Sequence, residues 1–227
     1  MTSIYQKAMG KDFGKLHPQI QKRFGFSSKD RIASIGRGIM QEVSYGKPYT
    51  LPFLYIGTWR NIMFPQKGRN IPFTIENYAY IDRYGRETVT WVRKYQFPDK
   101  ERRFDATMIY SDQRQQVIDY LGTHQHLAVD IEFSVAENGG LRLRSGEQRF
   151  YEGIIGFRFP MLFSGYADVC EWYDDTEERF SISVEVRNRT WGKLFHYRGT
   201  FEADYVPVPS EAAIPRDVKP VREEKRE

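Results

Sequence analysis

Between residues 31 and 206 the chain divides into short segments rich in Val, Ile, Thr, Tyr, Phe and Trp, at 31–45, 73–82, 87–97, 102–111, 114–122, 124–136, 141–151, 163–174, 180–190 and 195–206. Turn-forming residues separate them. Most of these gaps are too short for a crossover helix, so segments adjacent in sequence pair antiparallel. That single pattern excludes a helical bundle and a parallel α/β sheet.

The fold class that follows is mainly β: a curved antiparallel sheet or a calycin-like β-barrel of about ten strands with short N-terminal helices. The helices come from residues 1–25, where Ile4, Tyr5, Ala8 and Met9 form an apolar stripe and Pro18 suits a first helical turn. A length of 227 residues fits one β-rich domain over 1–206. Residues 207–227 carry four prolines, many charges and no aromatic side chain, and read as a disordered tail.

Charge excludes little but tilts the choice. A net charge of +4, with both signs interspersed along the chain, weighs against a nucleic-acid partner. The start MTSIYQKAMGKDF lacks the order of a signal peptide and the single Cys170 cannot form an internal disulfide, so a cytoplasmic location is expected. The glycines of Gly36-Arg37-Gly38 read as a bend in a strand rather than a dinucleotide cradle, and no cofactor is expected.

Two turns carry their own chemistry. IDRYGRETV places Asp82 at a turn start and Gly85 three positions on, which fits a type I turn with a glycine bulge. In FSVAENGGLRLRS a loop of Asn138, Gly139 and a left-handed Gly140 aligns Val135 with Leu143 and Phe133 with Ser145.

His124 and His126 share one face of a strand, as in a cupin-like metal site. The expected Glu and glycine spacing are absent, and only His196 or His17 remains as a third ligand. No bound metal is expected.

Charges on apolar faces are more informative, because each must be paired, solvated by a cavity or functional. Arg93 interrupts Val89, Trp91, Tyr95 and Phe97; Glu171 interrupts Ala167, Val169 and Tyr173. Glu147 and Arg149 continue the face of Leu141 and Leu143, and Asn77 sits among Phe73, Ile75, Ala79 and Ile81. One unseen bulge would reverse the face of everything beyond it. Two apolar segments broken by Pro and Gly, 47–59 and 153–166, read either as lids over a barrel mouth or as core-packing connections.

The stretches NIPFTIENYAYIDRYGRETVTWVRKYQF, RRFDATMIYS, IDYLGTHQHLAVDIEFSV, SGEQRFYEG and FRFPMLFSGYADVCEWYDD resemble a bacterial family known only as a domain of unknown function. The resemblance spans nearly all of residues 3–206 and brings no catalytic residue with it. Members fused behind a saccharopine-dehydrogenase-like nucleotide-binding module imply a metabolic or lipid-related setting.

The leading expectation is a binding module for an apolar or amphipathic, anionic small molecule held in a barrel cavity. Arg93, Arg149 and Asn77 would supply the polar contacts, and Trp91, Tyr95 and Phe97 the apolar ones. One rival is an enzyme using Glu147 or Glu171 as general acid or base; another is a structural or interaction protein without a cavity. A peripheral membrane contact by the apolar segments and the oligomeric state stay open.

Overall fold

The computed structural model describes residues 2–159 and 164–227. Helices α1 (Ile4–Met9) and α2 (Pro18–Phe24) lead into β1 (Ile32–Tyr45), and α3 (Leu51–Thr58) separates it from β2 (Ile71–Ile81). Next come β3 (Glu87–Phe97), β4 (Lys100–Ser111), β5 (Gln116–Leu121), β6 (Leu127–Val135) and β7 (Leu141–Glu152). The last are β8 (Ile155–Arg158), β9 (Tyr166–Asp174), β10 (Arg179–Asn188) and β11 (Gly192–Pro207). Strands β1 to β7 pair in sequence order, β7 pairs β9, and β9, β10 and β11 lead back to β1. The result is a closed antiparallel barrel of ten strands, with β8 an extra strand on the end of β7.

Strand β1 packs tightly against both of its neighbours at Gly36 and Gly38. A Cβ on Gly36 would lie 2.6 Å from Ile75 Cγ2, and one on Gly38 would lie 2.0 Å from the Thr200 carbonyl oxygen. Glycine at 38 lets the β1 and β11 backbones come this close, and glycine at 36 leaves room for the Ile75 and Phe201 side chains.

The β2–β3 turn is built as its residues dictate: Gly85 donates to the Asp82 carbonyl (2.9 Å) with φ +78°, and the Asp82 carboxylate takes the amide of Tyr84. The β6–β7 turn departs from expectation by one residue in its left-handed glycine and by two in its pairing. Its left-handed glycine is Gly139 (φ +74°), so Val135 faces Leu141 and Phe133 faces Leu143. Gly140 has a different task, since a Cβ there would meet the Glu171 carbonyl oxygen at 2.7 Å.

One end of the barrel is plugged by the N-terminal helices. Ser3 caps α1 through a reciprocal box with Gln6, and Pro18 opens α2. These helices bury Tyr5, Ile20, Arg23 and Phe24 against the barrel's interior side chains. Trp91 Nε1 donates to the Tyr5 hydroxyl (2.7 Å), and Arg23 is ion-paired with Glu171 on β9.

The C-terminal segment, expected from composition to be disordered, lies against the outside of the barrel. Val208, Ile214 and Val218 are buried on an outer apolar patch of Ala33, Ile35, Tyr78, Tyr80 and Val92. Further on, the Tyr120 and Tyr151 hydroxyls donate to the carbonyls of Arg226 and Glu227. The tail's three spaced aliphatic residues offset its ordering entropy only because the barrel exposes a matching patch, a fact composition does not carry. Deleting residues 208–227 is therefore expected to lower the melting temperature by about 5 °C or more, the equivalent of roughly 2 kcal/mol. An unchanged calorimetric transition would show that the segment contributes nothing.

Candidate functional site

Strand β3 points Val89, Trp91, Arg93, Tyr95 and Phe97 inward, and β5 points Val117, Asp119 and Leu121 inward beside β4 and β6. Between them the interior side chains stop short of one another. They leave a cavity of about 100 Å³ walled by Met63, Trp91, Phe104, Met108, Leu121, Leu127, Val129, Ile131, Leu143, Val169, Val184 and Val186. Its few polar side chains are Arg93, Asp119, Ser145 and Gln148. Few anchors in an apolar lining is the composition of a small-molecule site.

Arg93 is 3% exposed. Its Nε donates to the Phe104 carbonyl (3.1 Å), its Nη1 to the Tyr197 hydroxyl (2.9 Å), and the guanidinium lies 3.9 Å from the Phe104 ring centroid. Among the described residues no carboxylate comes within the 4.0 Å of an ion pair. The nearby Asp119 does not neutralise it fully, because burial, opposed by Arg93, pushes the Asp119 carboxyl up to about 7. Asp119 Oδ1 finds no hydrogen-bond partner among the described residues.

The cavity continues toward the surface. A second space of about 170 Å³ shares Met63, Leu127, Gln148 and Gly165 with the first and is covered by Tyr49, Thr50, Phe53 and Leu54 at α3, with Phe159 and Trp191 opposite. Strand β7 explains the passage. It pairs β9 only over Leu141–Arg144 and β8 only over Arg149–Glu152. Across the intervening seam, Ser145 Oγ accepts from the Ala167 amide (2.7 Å) and Gln148 Nε2 donates to the Gly165 carbonyl (2.5 Å). Side chains there take the place of the β7–β9 backbone ladder.

The other residues singled out in the sequence divide by position. Trp91 lines the cavity. Tyr95 and Phe97 lie instead in a packed aromatic layer with Phe64, whose ring sits 5.0 Å and 5.7 Å from theirs. Asn77 is buried opposite Trp91 and Ser34 but does not line the cavity. Glu171 faces inward, paired with Arg23 of the helical plug and away from the cavity lining.

Glu147 and Arg149 face outward. Ser145 opposes Ile131 while Gln148 opposes Val129, so three steps on β7 match two on β6. This bulge reverses the alternation, turning Gln148 inward and Arg149 out to Asp130 (2.5 Å) and Glu147 (3.0 Å). Neither Glu147, expected as an acid or base, nor Arg149, expected as a ligand contact, lines the cavity or the space under α3.

His124 and His126 stack at 5.8 Å, and His126 Nδ1 lies 2.8 Å from Glu152. Among the described residues no group of three His, Cys, Asp or Glu is gathered as a metal site would require. Of the apolar segments, 47–59 contains α3 at the mouth, whereas residues 160–163 of the second lie outside the described residues.

Asp119, Ser145 and Gln148 escaped the sequence reading. Asp119 had a legible signal, a charge alternating with Val117 and Leu121; Gln148 had none without the bulge.

The chain is 33% identical over 206 residues to the "Uncharacterized protein YndH" of Bacillus subtilis (strain 168), covering 90% of this chain and 98% of that protein. Residues 16–201, from just before α2 into β11, match a family model described as Domain of unknown function (DUF4166). A match over that much of the barrel is decisive: the chain belongs to the DUF4166 family of domains of unknown function.

Proposed function

We propose that the barrel binds a small amphipathic anion, its head group against Arg93 and its apolar body directed toward the mouth under α3. The observation that carries this reading is a buried guanidinium, without an ion-pair partner among the described residues, in the wall of a mostly apolar cavity. A desolvated cation is costly unless an anion or hydrogen bonds satisfy it, and a bound carboxylate would do so. Ionised Asp119 would compete with that head group, so protonation of Asp119 favours the complex.

Octanoate is a suitable probe, with octanol as its uncharged control. Calorimetric titration is expected to show octanoate binding that weakens about tenfold or more as pH rises through about 7, the direction set by ionisation of Asp119. Arg93→Met abolishes the preference for octanoate over octanol, and Asp119→Asn removes the pH dependence. Equal affinity for the two probes would contradict an anion seat.

A second reading rests on Asp119 itself. A carboxyl poised near neutrality inside an apolar cavity suits general acid–base catalysis. An enzyme would convert its ligand and stop doing so in Asp119→Asn while still binding it; a carrier would return the ligand unchanged.

A further inference from the structure

Helix α3 is apolar on every side: of Leu51–Thr58 only Leu54 and Gly57 are buried, while Phe53, Tyr55 and Ile56 are exposed. Trp59, directly after it, is 84% exposed. Across the mouth, the β7–β8 turn presents Ile154 and Ile155 to solvent, and Trp191 on the β10–β11 turn lies 5.3 Å from Tyr49. The two sides belong to one rim, since Phe53, Phe159 and Trp191 line the same space. A stack of Phe150, Phe157 and Phe159 joins that space to the β7–β8 hairpin. Exposed apolar surface of this extent marks an interaction site.

Charge says what covers it. Residues 43–75, 153–159, 164–167 and 186–201 contribute to this end of the barrel and carry nine Lys and Arg and no Asp or Glu, while the β3–β4 turn at the same end adds Asp99 and Lys100, and Glu152 precedes the β7–β8 turn. The whole chain has a net charge of +4, so the remainder is net negative. Several of the nine are paired with flanking acids, such as Arg158 with Glu147 and Lys193 with Glu185. Lys47, Arg60, Lys67, Arg69 and Arg189 make no ion pair among the described residues. Tryptophan, tyrosine and aliphatic side chains ringed by unpaired cations match an anionic bilayer, where aromatic rings seat at head-group depth and cations meet acidic lipids.

We infer that the mouth end docks on anionic lipid surfaces, inserting the exposed face of α3 and the β7–β8 turn. Docking places the space under α3, and the seam beside Ser145 and Gln148, at the lipid interface. An amphipathic anion would then enter or leave without crossing water. This last step rests on the ligand reading above; the docking surface does not.

Co-sedimentation with vesicles of phosphatidylcholine alone and of phosphatidylcholine with phosphatidylglycerol tests the docking. The protein is expected to partition onto the anionic vesicles, with Trp59 emission shifting to the blue, and to be released as salt rises from about 0.1 M to 0.5 M. Trp59→Ser combined with Ile154→Ser is expected to lower partitioning roughly tenfold or more. Because both residues are exposed, near-ultraviolet circular dichroism and octanoate binding in solution should stay as in the wild type. Partitioning with no response to these substitutions or to lipid charge would overturn the inference. So would a self-associated form that buries Trp59, since a second copy would then be the occupant. Vesicle binding without octanoate binding would leave the docking surface standing and remove the ligand reading.

Discussion

Arg23→Met is expected to destabilise the fold by about 3–5 kcal/mol at neutral pH, the cost of stranding one member of a buried ion pair. Arg23 is wholly buried, donates through Nη1 to Ser34 Oγ (2.7 Å) and through Nε to Glu171, and stacks 4.8 Å from the Phe201 ring centroid. The pair joins α2 to β9 and fastens the helical plug into the barrel end. It is also imperfect, because Arg23 Nη2 and Glu171 Oε2 lack partners among the described residues. Burial, opposed by Arg23, raises the Glu171 carboxyl above its ordinary range. Without Arg23 that carboxyl titrates higher still, so the variant's deficit is small in acid, where Glu171 is protonated in both states. It grows as pH rises through the raised value. Combining Arg23→Met with Glu171→Leu should recover most of the loss, since an apolar pair of similar volume often matches a buried ion pair. Urea denaturation checks both variants; a single substitution costing under about 1 kcal/mol would mean the plug is not held by this pair.

Asp119→Asn carries the opposite sign. The folded-state carboxyl titrates near 7, whereas an unfolded aspartate titrates near 3.9. Below the unfolded value both states are protonated and the residue costs nothing. As pH rises from about 4 to about 7 the unfolded state ionises first, and the wild type loses stability; above that the loss is constant. Holding the carboxyl near 7 rather than near 4 costs the fold at most about 4 kcal/mol. The asparagine variant is therefore expected to gain on the wild type across that window and hold its advantage at about pH 8. A pH-independent difference would show that Asp119 is ionised in the folded protein throughout, and would remove both the cost and the proposed competition with a bound anion. Natural proteins keep such costly groups at functional sites.

Much of the barrel was legible because strand periodicity is local. The ten segments and the Asp82–Gly85 turn need only neighbouring residues, and in β3 the alternation that sends Arg93 inward runs without a break. What failed depends on contacts distant in sequence. The β7 bulge arises where β7 leaves β9, and nothing within SGEQRF announces which residue is extra. It exchanged Arg149 for Gln148 in the cavity wall. Arg23 lay in an apparently ordinary helix, so its meeting with Glu171, 148 residues away, was invisible. The tail's order depends on an outer patch contributed by three strands. Asp119 alone is open to the same parity rule as Arg93, since it alternates with Val117 and Leu121.

The central claim is that an anionic head group seats inside the barrel against Arg93. Carbon-13 magnetic resonance of octanoate labelled at its carboxyl group tests it most directly. The predicted result is a bound carboxylate signal that stays ionised down to about pH 4, below where free octanoate begins to protonate, and that is lost in Arg93→Met. A bound signal that titrates as it does in water, or one that survives Arg93→Met unchanged, would place the head group outside the barrel and contradict the account.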